Sequence, residues 1–123
     1  MSRARSGCAS ALMLMAPAQM RWVPEPVPVP AMGEVTVATI ASAVSVGGEL
    51  TQYRGVDRFS SATVYPRMTG YESLGVVVAQ GAGVPLRHGD RVVGSYGHGT
   101  AAVVPADACC RCRRMCPTPL PRA

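Results

Sequence analysis

A chain of 123 residues, 48% hydrophobic and 15% charged, has one domain's length: it can enclose a single modest core and is too short for two full domains. No apolar run is long enough to span a bilayer as a helix, so a helical membrane protein is excluded. The net charge of +5 sits in the tails, since between Ala11 and Asp107 six arginines meet seven acids; without a basic face interleaved with aromatics, nucleic acid is not an expected partner.

Arg3, Arg5, the apolar stretch Ala11–Met15 and Ala16-Pro17-Ala18 imitate a secretory signal. Gly7, Cys8 and Ser10 interrupt it, and from Ala11 onward a strand and turn explain the residues better. The cysteines are confined to the tails, Cys8 and then Cys109, Cys110, Cys112 and Cys116. That argues against a disulfide framework and for a reducing, cytoplasmic compartment.

From Ala11 short apolar runs are punctuated by Pro and Gly, the pattern of a mostly β chain. Ala11–Met15 predicts a strand, Pro17-Ala18 a turn, and Gln19–Val23 a second strand with Met20 and Trp22 on one face and Arg21 on the other. Proline at every second position from Pro24 to Pro30 predicts an extended crossover without sheet pairing, with a linker or a groove-binding ligand as alternatives. Glu34–Ala41 alternates as a strand with Val35 and Val37 on one face. Ser45–Leu50 predicts a loop that opens a short helical turn through Tyr53. Leu74–Ala79 is a near-continuous apolar run, expected of a strand covered on both faces as the inner wall of a barrel. Gly81-Ala82-Gly83 and Gly89-Asp90 are turn signals, and Arg91–Gly94 and Thr100–Pro105 are further strands joined through Gly97-His98-Gly99. His88 and His98, in glycine-rich turns, are expected to be solvated.

After Asp107 the sequence changes to Cys, Arg and Pro without periodicity. The chain has no Lys, no Asn, one Ile and one Phe, the bias of a GC-rich gene, and its end is expected to be a frameshifted translation. A zinc site built on Cys109, Cys112 and Cys116 would be crowded by Arg111, Arg113 and Arg114, so no metal is expected there. The expected organisation is a disordered extension over residues 1–10, one domain over 11–107 and an irregular tail over 108–123.

Five blocks occur in a telling order: Ala11–Leu14 with Trp22–Pro26, Met32–Val37, Ser45–Gly55, Gly70-Tyr71-Glu72-Ser73-Leu74-Gly75-Val76-Val77, and Gly89-Asp90-Arg91-Val92. Together they resemble the substrate-side domain of medium-chain dehydrogenase/reductases, the zinc alcohol dehydrogenase superfamily. The resemblance covers about Ala11 to Asp107. It implies a GroES-like, partly open β-barrel with short helical turns and irregular tails. It further implies a complete enzyme that transfers hydride between NAD or NADP and an alcohol, polyol or carbonyl, with the small-molecule substrate held between this barrel and a nucleotide-binding domain. No Gly-x-Gly-x-x-Gly opens a helix after a strand here, so no cofactor is expected on this chain, and the chain is expected to be inactive alone. The alternative is a stand-alone, non-catalytic barrel that binds a partner or forms a homo-oligomer.

The resemblance also locates a site. The family's cysteine ligand falls at Val46 and its histidine ligand at Tyr71; neither side chain offers the needed donor, so catalytic zinc is not expected. The structural-zinc lobe is missing as well, since Gly94–Pro105 has no cysteine. Glu72 matches the family's glutamate beside the metal and is either a cleft carboxylate or a hydrogen-bonding group of the barrel. Gly48 stands where many members carry a proton-relaying hydroxyl. Ser45 and Tyr71 can supply hydroxyls near the same cleft, which makes Glu72, Tyr71 and Ser45 the candidate site residues.

Overall fold

The computed structural model describes residues 7–55 and 64–112. The strands are β1 (Gly7–Ala16), β2 (Gln19–Val27), β3 (Glu34–Ala43), β4 (Arg67–Met68), β5 (Glu72–Gln80), β6 (Arg91–Gly94), β7 (Ala101–Pro105) and β8 (Cys110–Arg111), with one α-helix, α1 (Val46–Arg54). They form two antiparallel sheets, of order β2-β1-β4 and β7-β3-β5-β6-β8. The mostly β expectation holds. Among the described residues the sheets do not close into one barrel; a single isolated bridge, Ala11 to Gly99, links β1 to the loop before β7.

The larger sheet makes the core. Val35 and Val37 of β3, Val77 of β5 and Val92 of β6 are fully buried, and Leu86 and Tyr96 join them. Each such valine contributes about 1.5–3 kcal/mol relative to an exposed one. The alternation expected for β3 therefore places the right face inward. The expectation for β5 needs correction: Ser73, Gly75 and Val77 are buried while Val78 is 40% exposed. An antiparallel strand in an open sheet has one covered face, and the bulky residues at 74, 76 and 78 lie on the other.

Gly75 is required where β5 crosses β3. A Cβ there would overlap the Val37 side chain and lie 2.7 Å from the Ala38 carbonyl oxygen. The register between these strands also shifts between Thr39 and Ala41, so the glycine lets the backbones approach at a bulge.

Only the second half of the proline run, Pro28 to Pro30, is an unpaired connection. β2 carries Pro24 and Pro26 opposite Ser10 and Cys8 of β1. Residues two apart in a strand point their N–H groups to the same side, so alternate prolines remove donors from one edge only. β2 is an edge strand, and its open side is thereby blunted against further pairing.

Both predicted tails shrink. β1 begins at Gly7, inside the stretch expected to be disordered, and Ala9 is buried. At the other end Cys109 packs against the core, Cys110–Arg111 pair with β6, and the Cys112 N–H donates to the Arg91 carbonyl at 2.8 Å. Cysteine here is a small hydrophobe continuing a sheet edge. Residues 1–6 and 113–123, with Cys116, lie outside the described residues.

Burial pushes the Tyr96 phenol above its ordinary 10.0 and the Cys109 thiol above its ordinary 9.0, the charges of Cys110 and Asp107 adding to the latter. Folding thus favours both protonated forms, and their contribution is complete below the ordinary values and lost as pH rises through the higher folded ones. The thermal midpoint should fall between about pH 8 and about pH 11, and fall less in a Tyr96→Phe, Cys109→Ala double variant; an equal fall would assign the alkaline loss to other groups. Gly75→Ala should cost about 2–3 kcal/mol in urea unfolding, as overpacking against backbone does, whereas a neutral result would mean that β3 and β5 can separate there.

Candidate functional site

Two glycines, Gly47 and Gly48, weaken the first turn of α1, yet the helix runs nine residues rather than one turn. Its start is closed by Glu49: Ser45 N–H donates to Glu49 Oε2 at 2.5 Å, and the Glu49 N–H donates to the Ser45 carbonyl at 2.9 Å. The carboxylate thereby satisfies a donor just ahead of the helix and opposes the positive end of the helix dipole. Gly55 ends the helix in the left-handed conformation, φ 74°.

Val46, Glu49, Leu50 and Tyr53 are spaced as one helix face, and that face meets Leu12 and Leu14 of β1, Met20 of β2, Val44, Thr69 and His98 around a cavity of about 250 Å³. Leu14 is 2% exposed, so the cavity floor is part of the smaller sheet's core. A second, more open cleft of about 360 Å³ shares Leu12, Val44 and His98 with the first and is otherwise lined by Trp22, Thr39, Ser42, Gly99 and Thr100.

His98 is the polar centre of this region. Its Nε2 lies 2.6 Å from Glu49 Oε1, and each side chain is only 11% exposed. A carboxylate can only accept, so Nε2 carries the hydrogen, and in the neutral ring Nδ1 is the acceptor. The backbone on either side is fixed: His98 N–H donates to the Thr69 carbonyl at 2.6 Å, and Leu12 N–H donates to the His98 carbonyl at 2.8 Å. Gly70, at φ 81°, covers the imidazole face so closely that a Cβ would fall 2.6 Å from the ring. The expectation of a solvated His98 is thus overturned, while His88 is exposed as expected.

The predicted candidates divide. Ser45 and Tyr71 come together at the first turn of α1: a Cβ on Gly48 would lie 3.4 Å from the Tyr71 hydroxyl and 3.7 Å from Ser45 Oγ. The Tyr71 hydroxyl therefore stands beside the place where a side chain at position 48 would begin. Glu72 is exposed, opposite Ala43 in the ladder between β3 and β5, and has no hydrogen bond among the described residues. None of the three lines the 250 Å³ cavity. Val46 does line it, but a valine there and a tyrosine at 71 do not fit a catalytic zinc, and no group of three or more His, Cys, Asp or Glu is placed to hold a metal among the described residues.

The Glu49–His98 pair escaped the sequence because its members are 49 residues apart. The available signals were indirect: a glutamate four residues after a serine at a helix start, and a histidine between two glycines.

No protein-family model and no curated protein matches the sequence. Solved structures do. The human synaptic vesicle membrane protein VAT-1 homolog-like protein aligns with a TM-score of 0.70 at 20% identity, covering 89% of this chain and 37% of that one. A short chain alcohol dehydrogenase from E. coli CFT073, complexed with the cofactor NADH, gives 0.70 at 24% identity over 87% of this chain and 39% of its own. The quinone oxidoreductase from Coxiella burnetii gives 0.66 at 16% over 85% and 37%. The fold is accordingly one found within these solved structures, an alcohol dehydrogenase and a quinone oxidoreductase among them. The chain spans well under half the length of these structures.

A double-mutant cycle on Glu49→Gln and His98→Asn should give a coupling of roughly 1–2 kcal/mol in thermal or urea unfolding, the range for a charge-assisted bond mostly shielded from water. Additive effects would mean that the two side chains do not pair in solution.

Proposed function

We propose that this chain is the substrate-side domain of an NAD(P)-dependent medium-chain oxidoreductase of the zinc-independent kind. The complete, cytoplasmic enzyme transfers hydride to or from an alcohol, polyol or carbonyl, and the chain alone is inactive. The observation that carries this is the cavity at Val46: at the position where zinc members hold their cysteine ligand, a side chain with no metal-binding atom opens onto an apolar space whose wall bears a carboxylate–imidazole pair. The shared fold, including that of an alcohol dehydrogenase complexed with NADH, supports the same reading. The one step from strand to α-helix among the described residues, β3 into α1, carries Gly47-Gly48 and no Gly-x-Gly-x-x-Gly turn to cradle a pyrophosphate. They do not fit NAD(P), whose binding is assigned to a separate domain.

The second reading, a stand-alone module that binds a partner or forms a homo-oligomer, is favoured by exposed apolar side chains around the two clefts: Trp22 is 57%, Val44 69% and Val46 71% exposed. Sequencing the DNA beyond the codon for Thr100 and translating every frame separates the two. A strand, a Gly-x-Gly-x-x-Gly turn and a helix are expected in one frame; their absence, with a purified chain that self-associates, would leave the binding module. The purified chain is also expected neither to oxidise NADH or NADPH with carbonyls nor to reduce NAD⁺ or NADP⁺ with alcohols, and turnover by the chain alone would overturn its assigned inactivity.

A further inference from the structure

The cavity beside α1 has a more specific chemistry than the proposed function requires. At about 250 Å³ it has room for about eight heavy atoms, taking roughly 30 Å³ of liquid volume for each water-sized group. Leu12, Leu14, Met20, Val44, Val46 and Leu50 form its apolar walls, so a guest must be mainly hydrocarbon. Both carboxylate oxygens of Glu49 are already engaged, one by His98 Nε2 and the other by the Ser45 N–H. Nδ1 of His98 makes no hydrogen bond among the described residues, and it is the ring nitrogen left for a ligand.

The ring is also held in one orientation, by Glu49 at its edge, Gly70 over its face and two main-chain hydrogen bonds at its own backbone. A group fixed in advance loses little freedom on binding. Because Glu49 keeps the hydrogen on Nε2, the neutral ring offers a lone pair at Nδ1 and no second donor. A hydroxyl can donate to that lone pair, whereas a ketone oxygen, which only accepts, cannot.

We propose that His98, held by Glu49 as its positioning residue, forms a metal-free hydroxyl-binding site that takes a small alcohol with a hydrocarbon body. The site does with an imidazole lone pair what a cation would otherwise do, orienting the oxygen of an alcohol. This deepens the oxidoreductase reading and rests on it only for the alcohol's role as substrate; binding itself needs no nucleotide, so the two stand or fall in different experiments.

The test is an NMR titration of the 123-residue chain with cyclohexanol and, separately, with cyclohexanone, which has nearly the same shape. Cyclohexanol is expected to shift the methyl signals of Leu12, Leu14, Met20 and Leu50 together with the His98 ring, and to bind about fivefold more tightly than the ketone, the worth of one hydrogen bond. Glu49→Gln, which allows either imidazole tautomer, should bring the two ligands toward equal affinity. Leu50→Trp, which enlarges a residue of the cavity wall formed by α1 and leaves the pair itself unaltered, should abolish binding of both. Equal binding of alcohol and ketone by the unaltered chain, or undiminished cyclohexanol binding by Leu50→Trp, would overturn the site while leaving the domain's family relationship untouched.

Discussion

The loop from Gly97 to Thr100 is the constraint on which both sheets and the site depend. Within four residues it donates His98 N–H to the Thr69 carbonyl and Thr100 N–H to the Ser10 carbonyl. It accepts from Leu12 N–H at His98 and from Thr39 N–H at Thr100, and Thr100 Oγ1 takes the Ser10 N–H. Ser10 and Leu12 belong to the smaller sheet and Thr39 to the larger, so the loop joins them through main-chain groups. Such bonds have no side-chain freedom to lose and are costly to leave unmade once buried. The imidazole carried by this loop is therefore set relative to both sheets at once.

That placement explains why a carboxylate–imidazole pair can persist in an apolar setting. Burying a lone charge or an unpaired ring nitrogen is unfavourable, and here the cost is met by mutual pairing and by the second carboxylate oxygen closing the start of α1. Glu49 has two structural roles, at the helix start and at the ring. Helix formation and orientation of the imidazole are coupled through it, although α1 has no fully buried residue of its own. The helix is held by what it covers, by Glu49 at its start, and at its far end by the Ala18 N–H and the Tyr65 hydroxyl, which donate to the Tyr53 and Gln52 carbonyls.

Much of this fold was legible in the sequence because strand alternation has a short period and glycine corners are local. Val35 and Val37 are at the core positions that the alternation of β3 selects. Legibility failed where the outcome depends on a distant partner. The proline run gives the same local signal whether its neighbour is solvent or β1, and only the pairing with Gly7–Ser10 makes it an edge strand. Cys109–Arg111 is too short to show a period, and its order comes from β6 and from the Arg111–Asp90 contact of 3.5 Å. The site suffered most. The motif order directed attention to Ser45, Tyr71 and Glu72, of which the fold gathers the first two, while the buried pair joins Glu49 to His98 across the domain.

In the proposed reading Val46 and Tyr71 stand where zinc-dependent relatives hold a cysteine and a histidine, which bears on how a site without those ligands can bind an oxygen. Removing thiolate and imidazole ligands removes the cation's attraction for an oxygen and leaves an apolar hollow in which an oxygen has no partner. A hollow of that kind excludes polar guests unless some other group supplies a hydrogen bond from its wall. His98 reaches this wall from the loop that ties the sheets and not from α1, which holds Val46, or from the bend before β5, which holds Tyr71. The proposed polar contact thus sits in the loop that bonds to both sheets, where an imidazole is oriented by packing and main-chain bonds in place of the field of a metal ion.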